Sequence, residues 1–118
     1  MAKNTQNSFQ RGVLFLVILA LLDEEDMYRF QLVQQISLSS GGKFSTQEGS
    51  LYPVLYKLLE QGFISDEKRL VGKRMSRIYY YLESAGRVYL NELKHDYEDV
   101  THGVLQIIQG GGRENDGK

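Results

Sequence analysis

Between Lys68 and Arg77, five of ten residues are basic and none is acidic. Cations at that density suit a polyanion, because lysine and arginine side chains laid along phosphates release condensed counterions. The same charges also suit an exposed sheet edge guarded against aggregation. A second concentration of polar donors lies just upstream, where Thr46, Gly49, Ser50 and Pro53, followed by Tyr56 and Lys57, share one side at a helical period. Hydroxyl and ammonium groups there can donate to phosphate oxygens. His95 and His102 with Asp99 between them are a third grouping. Seven residues separate the two histidines, too far to share one metal from a single helix, and solvent-facing histidines are the plainer reading.

Enzyme chemistry finds little support. The chain holds no cysteine, which removes thiolate nucleophiles, thiolate zinc sites and disulfides, and fits a reducing cytoplasm. No G-x-x-x-x-G-K-[ST] cradle, G-x-S-x-G elbow or H-E-x-x-H pair occurs. We therefore expect no catalytic residue, no metal and no cofactor.

The elements that must position these groups follow from length and periodicity. With 118 residues, 42% hydrophobic and 25% charged, the chain is expected to close one modest core. Its net charge is −1, so any nucleic-acid surface must be local, and an acidic block at Asp23, Glu24, Glu25 and Asp26 shows that the charges are sorted. Val13 to Leu22 is uniformly apolar; ten residues are too few to span a bilayer, and DEED after them offers no cleavage site, so a buried helix from Gln10 to Leu22 in a cytoplasmic protein without membrane contact is expected. Asp26 is read as N-cap of a second helix, Met27 to Leu38, with Phe30, Val33 and Ile36 inward. Ser45 and Glu48 fit a capping box for a third helix beginning near Thr46. Leu51, Val54, Leu55, Leu58 and Leu59 make its core stripe. Gly62 closes it, with Phe63 folding back on Leu58.

Pro53 lies inside this third helix, forfeiting one N–H and pressing on the Gly49 carbonyl, so a bent or loosened first turn is expected. Ile64 to Arg69 and Met75 to Leu82 then read as a hairpin around Gly72, its tip charged by Lys68, Arg69, Lys73, Arg74 and Arg77. A last helix runs from Ser84 to Gln109. Leu90, Leu93, Tyr97, Val100, Val104 and Ile107 on it follow a 3,4 spacing, the seam of a coiled coil, and predict pairing with a second copy. Three helices, a basic-tipped hairpin and a further helix make the order of a winged helix-turn-helix, in which the third helix enters the major groove. The expected fold class is mainly α with a small β-hairpin (α+β). Residues 9–82 would form the DNA-binding domain and 83–109 the dimerisation helix, with flexible tails at 1–8 and 110–118.

Beyond this order, the chain resembles the PadR family of bacterial transcriptional regulators. The similarity rests on Met27, Tyr28, Arg29, Phe30 and Gln31 at the start of helix two, and on Gly49, Ser50, Leu51, Tyr52 and Pro53 in helix three. It continues through Glu60, Gln61, Gly62, Phe63 and Ile64 into Gly72, Lys73, Arg74, Arg77, Tyr79, Tyr80, Leu82 and Gly86, covering about residues 10 to 108. Arg29 departs from the family's glycine, Met75 and Ser76 interrupt its basic run, and Glu83 replaces its usual threonine, with Ser84 able to take over the cap.

The resemblance implies a double-stranded DNA partner and makes the proline the mark of a recognition helix. Thr46, Gln47 and Ser50 are then the residues expected to read bases, and Tyr52, Lys57, Lys73, Arg74 and Arg77 those expected to hold the backbone. The single last helix is similar to the short PadR subfamily, some members of which bind flat aromatic or multidrug-like compounds in a pore at the dimer centre. By that likeness Tyr97, with Phe15, Leu93 and Val100, would supply apolar stacking surfaces for such an effector, and Asp96 would orient a cationic one. As a seam residue, Tyr97 is more often plain core. The expected protein is a ligand-responsive repressor acting as a homodimer on a palindromic operator; the competing expectation is a winged-helix dimer that serves protein interaction without binding DNA.

Overall fold

The ten-residue apolar run becomes the axis around which the other elements pack. The computed structural model describes residues 2–110, with side chains from Val13 onward. Helix α1 (Ala2–Glu24) buries Leu14, Ile18, Leu19, Leu21 and Leu22. It is helical from Ala2, whereas the apolar run alone marks a start near Gln10; hydrophobic periodicity carries no signal in the polar residues that lengthen it. After it come β1 (Met27–Tyr28), α2 (Arg29–Ser39), α3 (Glu48–Glu60), β2 (Ile64–Leu70), β3 (Ser76–Leu82) and α4 (Ser84–Ile108). Residues 111–118, expected as part of a tail, lie outside the described residues.

The three strands form an antiparallel sheet in the order β1-β3-β2. β2 and β3 pair from Ile64 opposite Leu82 to Leu70 opposite Ser76. On the other side of β3, Met27 faces Tyr80 and Tyr28 faces Tyr79. This two-residue strand corrects the expected second helix, which starts at Arg29 rather than Met27. Asp26 is not its N-cap: the carboxylate accepts from the Arg69 guanidinium at 2.8 Å, while Gln31 Oε1 accepts from the Tyr28 N–H at 3.4 Å. A long-range strand pairing here overrides a local capping preference. The inward set of α2 shifts with it. Leu32 and Ile36 are buried and Val33 half-buried, but Phe30 is exposed.

Helix α3 begins at Glu48, so the Ser45–Glu48 capping box does not form; Gln47 is the N-cap and Glu48 pairs with Arg29 instead. The expected core stripe holds, with Leu51, Val54, Leu55 and Leu58 buried and Leu59 packed against the core. Each buried leucine contributes about 1.5–3 kcal/mol as an upper bound. The helix is continuous through Pro53. Its end has the expected form: Gly62 takes φ +78°, its N–H donates to Leu59 O and the Phe63 N–H to Leu58 O, both at 3.0 Å. Phe63 then stacks on Tyr89 of α4, centroids 4.4 Å apart and planes 15° from parallel.

The junction between sheet and α4 admits only glycine at position 86. A Cβ there would lie 2.0 Å from the Phe63 carbonyl oxygen and 2.8 Å from Leu82 Cδ1. That carbonyl also accepts from the Glu83 N–H at 3.0 Å, which fixes the start of β2 against the first turn of α4. Ser65 Oγ donates to the Glu83 carboxylate across the same junction.

Candidate nucleic-acid interface

The amphipathic packing of α3 decides which of its side chains face outward. Because Leu51, Val54, Leu55 and Leu58 point into the core, the opposite surface carries Gly49, Ser50, Pro53, Tyr56 and Lys57, all exposed. Gln47 is exposed immediately before the helix and Thr46 is half-buried, its hydroxyl 3.5 Å from the Gln47 carbonyl. Thr46, Gln47 and Ser50 thus cluster at the N-terminal end of α3. Lys57 shares the side of Ser50 but sits about 10 Å further along the axis at 1.5 Å per residue. There it lines a cleft of ≈ 270 Å³ with Phe15, Leu58, Gln61, Phe63 and Tyr89. Tyr56, 64% exposed, lies nearer the middle of the outward face than Tyr52 does, although it is not among the residues expected to contact DNA.

Tyr52 is partly committed inside the protein. The Arg29 guanidinium carbon lies 4.2 Å from its ring centroid, and Arg29 Nε is 3.4 Å from Glu48 Oε2. Arg29, the departure from the family's glycine, thereby clamps the first turn of α2 onto the first turns of α3. Burial of Tyr80 beneath this region pushes its phenol above the ordinary value of 10.0, an effect opposed by the nearby Arg29 charge.

On the outer face of the hairpin, cations and aromatic rings alternate. Arg69 lies over Tyr79 (4.7 Å to the centroid), Tyr79 meets Tyr28 edge-on (5.5 Å, 75°), and Arg77 lies over Tyr28 (4.3 Å). The strand register creates this ladder, since Arg69 opposes Arg77 and Tyr79 opposes both Glu67 and Tyr28. Arg69 is neutralised by Asp26 at 2.8 Å and Glu67 at 2.7 Å, and those hydrogen bonds hold its guanidinium above the ordinary arginine range. The expected five-cation tip is therefore corrected to Lys68, Lys73, Arg74 and Arg77, which have no ion-pair partner among the described residues. Arg77 keeps its hydrogen-bond donors available while the Tyr28 ring orients it.

The two halves meet at a groove of ≈ 400 Å³ bounded by Arg77, Ile78 and Tyr80 of β3, Tyr28, Arg29 and Phe30, and Glu48 of α3. None of the four acidic residues from Asp23 to Asp26 lines it. Asp23 pairs with Arg87 of α4 at 3.0 Å, Glu25 accepts from Gln31 at 3.1 Å, and Asp26 holds Arg69. These contacts tie the end of α1 to α4, α2 and β2.

Phe15, Leu93, Asp96, Tyr97 and Val100 come together with Val13 and Leu16 around a cleft of ≈ 230 Å³ between α1 and α4. Along the seam, Leu90 is buried in the core and Leu93 packs against it, whereas Tyr97, Val100, Val104 and Ile107 are exposed at 41–65%. Leu105 and Ile108 widen the bare apolar surface. His95 pairs with Asp99 at 3.3 Å on the exposed side, and no group of three His, Cys, Asp or Glu among the described residues is placed to hold a metal. No helix among them is long and apolar enough to cross a membrane.

Comparison with known proteins places this arrangement. The model of the transcriptional regulator PadR-like family matches residues 18–92. A transcriptional regulator of Mycobacterium tuberculosis is 31% identical over 97 residues, 82% of this chain and 87% of the relative. The solved PadR-like regulator of Bacillus cereus superposes with a TM-score of 0.76 at 25% identity, covering 87% of this chain and 98% of that one. PadR of Bacillus subtilis, solved in complex with operator DNA, superposes at 0.62 with 26% identity over 69% of this chain and 46% of that one. These relatives are transcriptional regulators rather than enzymes, and the four helices with a three-stranded sheet are their winged-helix fold. The chain belongs to the PadR-like family of transcriptional regulators.

Proposed function

We propose that this protein is a repressor that binds a palindromic DNA operator as a homodimer and releases it when an effector occupies the cleft between α1 and α4. The observation that carries the reading is the shared groove: the wing, through Arg77 and Ile78, and the start of α3, through Glu48, border one concave surface. Donors at Thr46, Gln47 and Ser50 suit base edges at that end of α3, while Lys73, Arg74 and Arg77 suit phosphates. Tyr52 and Lys57 would anchor the backbone on either side. The Bacillus subtilis relative, solved in complex with operator DNA, supports duplex DNA as the partner.

Pairing through α4 supplies the symmetry. Six exposed apolar residues, Tyr97, Val100, Val104, Leu105, Ile107 and Ile108, exceed what a small monomer leaves uncovered without a partner. A two-fold dimer would set its reading helices on half-sites about 34–36 Å apart or a multiple of that. A flat aromatic or multidrug-like effector stacked on Tyr97 and Phe15, with Asp96 near a positive charge, would act by favouring one spacing of those helices over another.

Selection from a random duplex library, with sedimentation equilibrium of the same sample, tests the reading. A dimer that enriches an inverted repeat is expected. A monomer that enriches nothing contradicts it. The near-neutral net charge of −1 favours a second reading, a dimer that serves protein interaction alone; a dimer that enriches no duplex would select it.

A further inference from the structure

The wing ends in apolar side chains that nothing among the described residues covers. Val71 N–H donates to the Met75 carbonyl at 2.9 Å and closes the turn, and Leu70, Val71 and Met75 are 76, 38 and 57% exposed. Between them stand Gly72, Lys73 and Arg74, and neither of these cations has an ion-pair partner among the described residues. Leu70 opposes Ser76 and Lys68 opposes Ile78, so Leu70 and Ile78 extend beyond the core the same face that carries Ile64 and Tyr80 into it. Aggregation control accounts for the charges of this tip but not for its exposed apolar side chains, and no packing among the described residues accounts for those.

The chemistry of the tip selects its partner. Two cations beside three apolar side chains on a narrow ribbon fit a crevice whose rims are anionic and whose walls are not. The minor groove of DNA is such a crevice, about 6 Å wide, with phosphates along its rims and sugars and base edges within. Apolar side chains entering it unstack base steps and kink the duplex by about 20–90°.

We propose that the wing is an apolar wedge: Lys73 and Arg74 take phosphates on the groove rims while Leu70 and Met75 press onto sugars and base edges and bend the DNA. This rests on the DNA-binding reading above and adds to it a mechanical role for the residue, Met75, that interrupts the basic run. Sequence preference at the wing then comes from how easily a base step deforms, not from hydrogen bonds to it.

The test uses the full chain and a 30-base-pair duplex of roughly one wing-to-wing span, chosen by selection, with dyes at its ends. Energy transfer reports the bend, and a salt titration reports the charges engaged. Wild type should shorten the end-to-end distance. The double variant Leu70→Ser, Met75→Ser should bind at least tenfold more weakly and leave the duplex nearly straight, with an unchanged slope of log Kd against log salt because no charge is removed. Met75→Lys should likewise lose the bend while steepening that slope by about one. A straight duplex with wild type overturns the proposal, as does a double variant that bends DNA normally. It is also overturned if the double variant sediments as a monomer, which would make the tip a protein contact, or if wild type instead binds phosphatidylserine vesicles through these residues. Wild type that binds no duplex at all overturns the DNA-binding reading itself.

Discussion

Arg29 lies over the face of the Tyr52 ring at 4.2 Å while its Nε reaches Glu48 at 3.4 Å, so one side chain fastens α2 to two successive turns on one side of α3. The contact is partly solvated, and an exposed cation–π pair with a surface ion pair contributes about 0.5–1 kcal/mol. Arg29→Ala should lower the unfolding free energy by that amount and so lower the urea midpoint. Arg29→Lys should recover little, since a lysine cannot stack a planar group on Tyr52 while bonding Glu48. An unchanged midpoint for both would show that the clamp does not hold α3.

Gly86 sits against the Phe63 carbonyl, where even a methyl group has no room. Gly86→Ala should cost about 1–3 kcal/mol, the range for overpacking, and lower the thermal midpoint accordingly. Substitution at exposed Gly49, which has open space around it, should spare stability. Equal thermal midpoints for the two alanine variants would contradict the packing account.

Tyr80 supplies a pH dependence of definite sign. Burial raises its phenol above 10.0, so the folded protein favours the neutral form. The stability linked to that group is fully present below pH 10 and is lost as pH rises through the folded value, because the unfolded chain ionises first. Thermal midpoints followed from pH 8 to 11 should fall at the alkaline end, and Tyr80→Phe should flatten the fall. A wild-type midpoint that rises over this window would reverse the sign.

The wing and α3 should fail differently when cut back. If Arg74 holds a phosphate as proposed, Arg74→Ala should weaken all duplexes alike and reduce the salt slope by about one. Ser50→Ala removes a donor from the face proposed to read bases, so it should change sequence preference by about 1–3 kcal/mol at one position of each half-site. Competition between the selected duplex and single-position variants separates the two effects. The assignment fails if the two substitutions exchange these outcomes.

Periodic features were legible in the sequence because each residue repeats the signal of its neighbours. The α3 stripe from Leu51 to Leu58, the glycine at its end, the hairpin frame and the exposed α4 seam all follow from such repetition. Single long-range contacts were not legible. Asp26 looks like a helix cap until Arg69, 43 positions away, captures it. Met27 and Tyr28 are too short a strand to show alternation, and only pairing with β3 makes them extended. The ladder through Arg69, Tyr79, Tyr28 and Arg77 needs two strand registers at once. Among the candidate site residues, the cleft around Phe15, Leu93, Asp96, Tyr97 and Val100 was foreshadowed by family likeness rather than by spacing.

The central claim is that α3 and the wing together grip a charged duplex at chosen bases. The dependence of Kd on salt, measured for the selected inverted repeat and for a scrambled duplex of equal length, tests it most directly. A log–log slope reflecting several phosphate contacts, with the inverted repeat tighter by about 10³-fold or more at every salt concentration, is the predicted result. Equal affinity for both duplexes, or a Kd indifferent to salt, would contradict it.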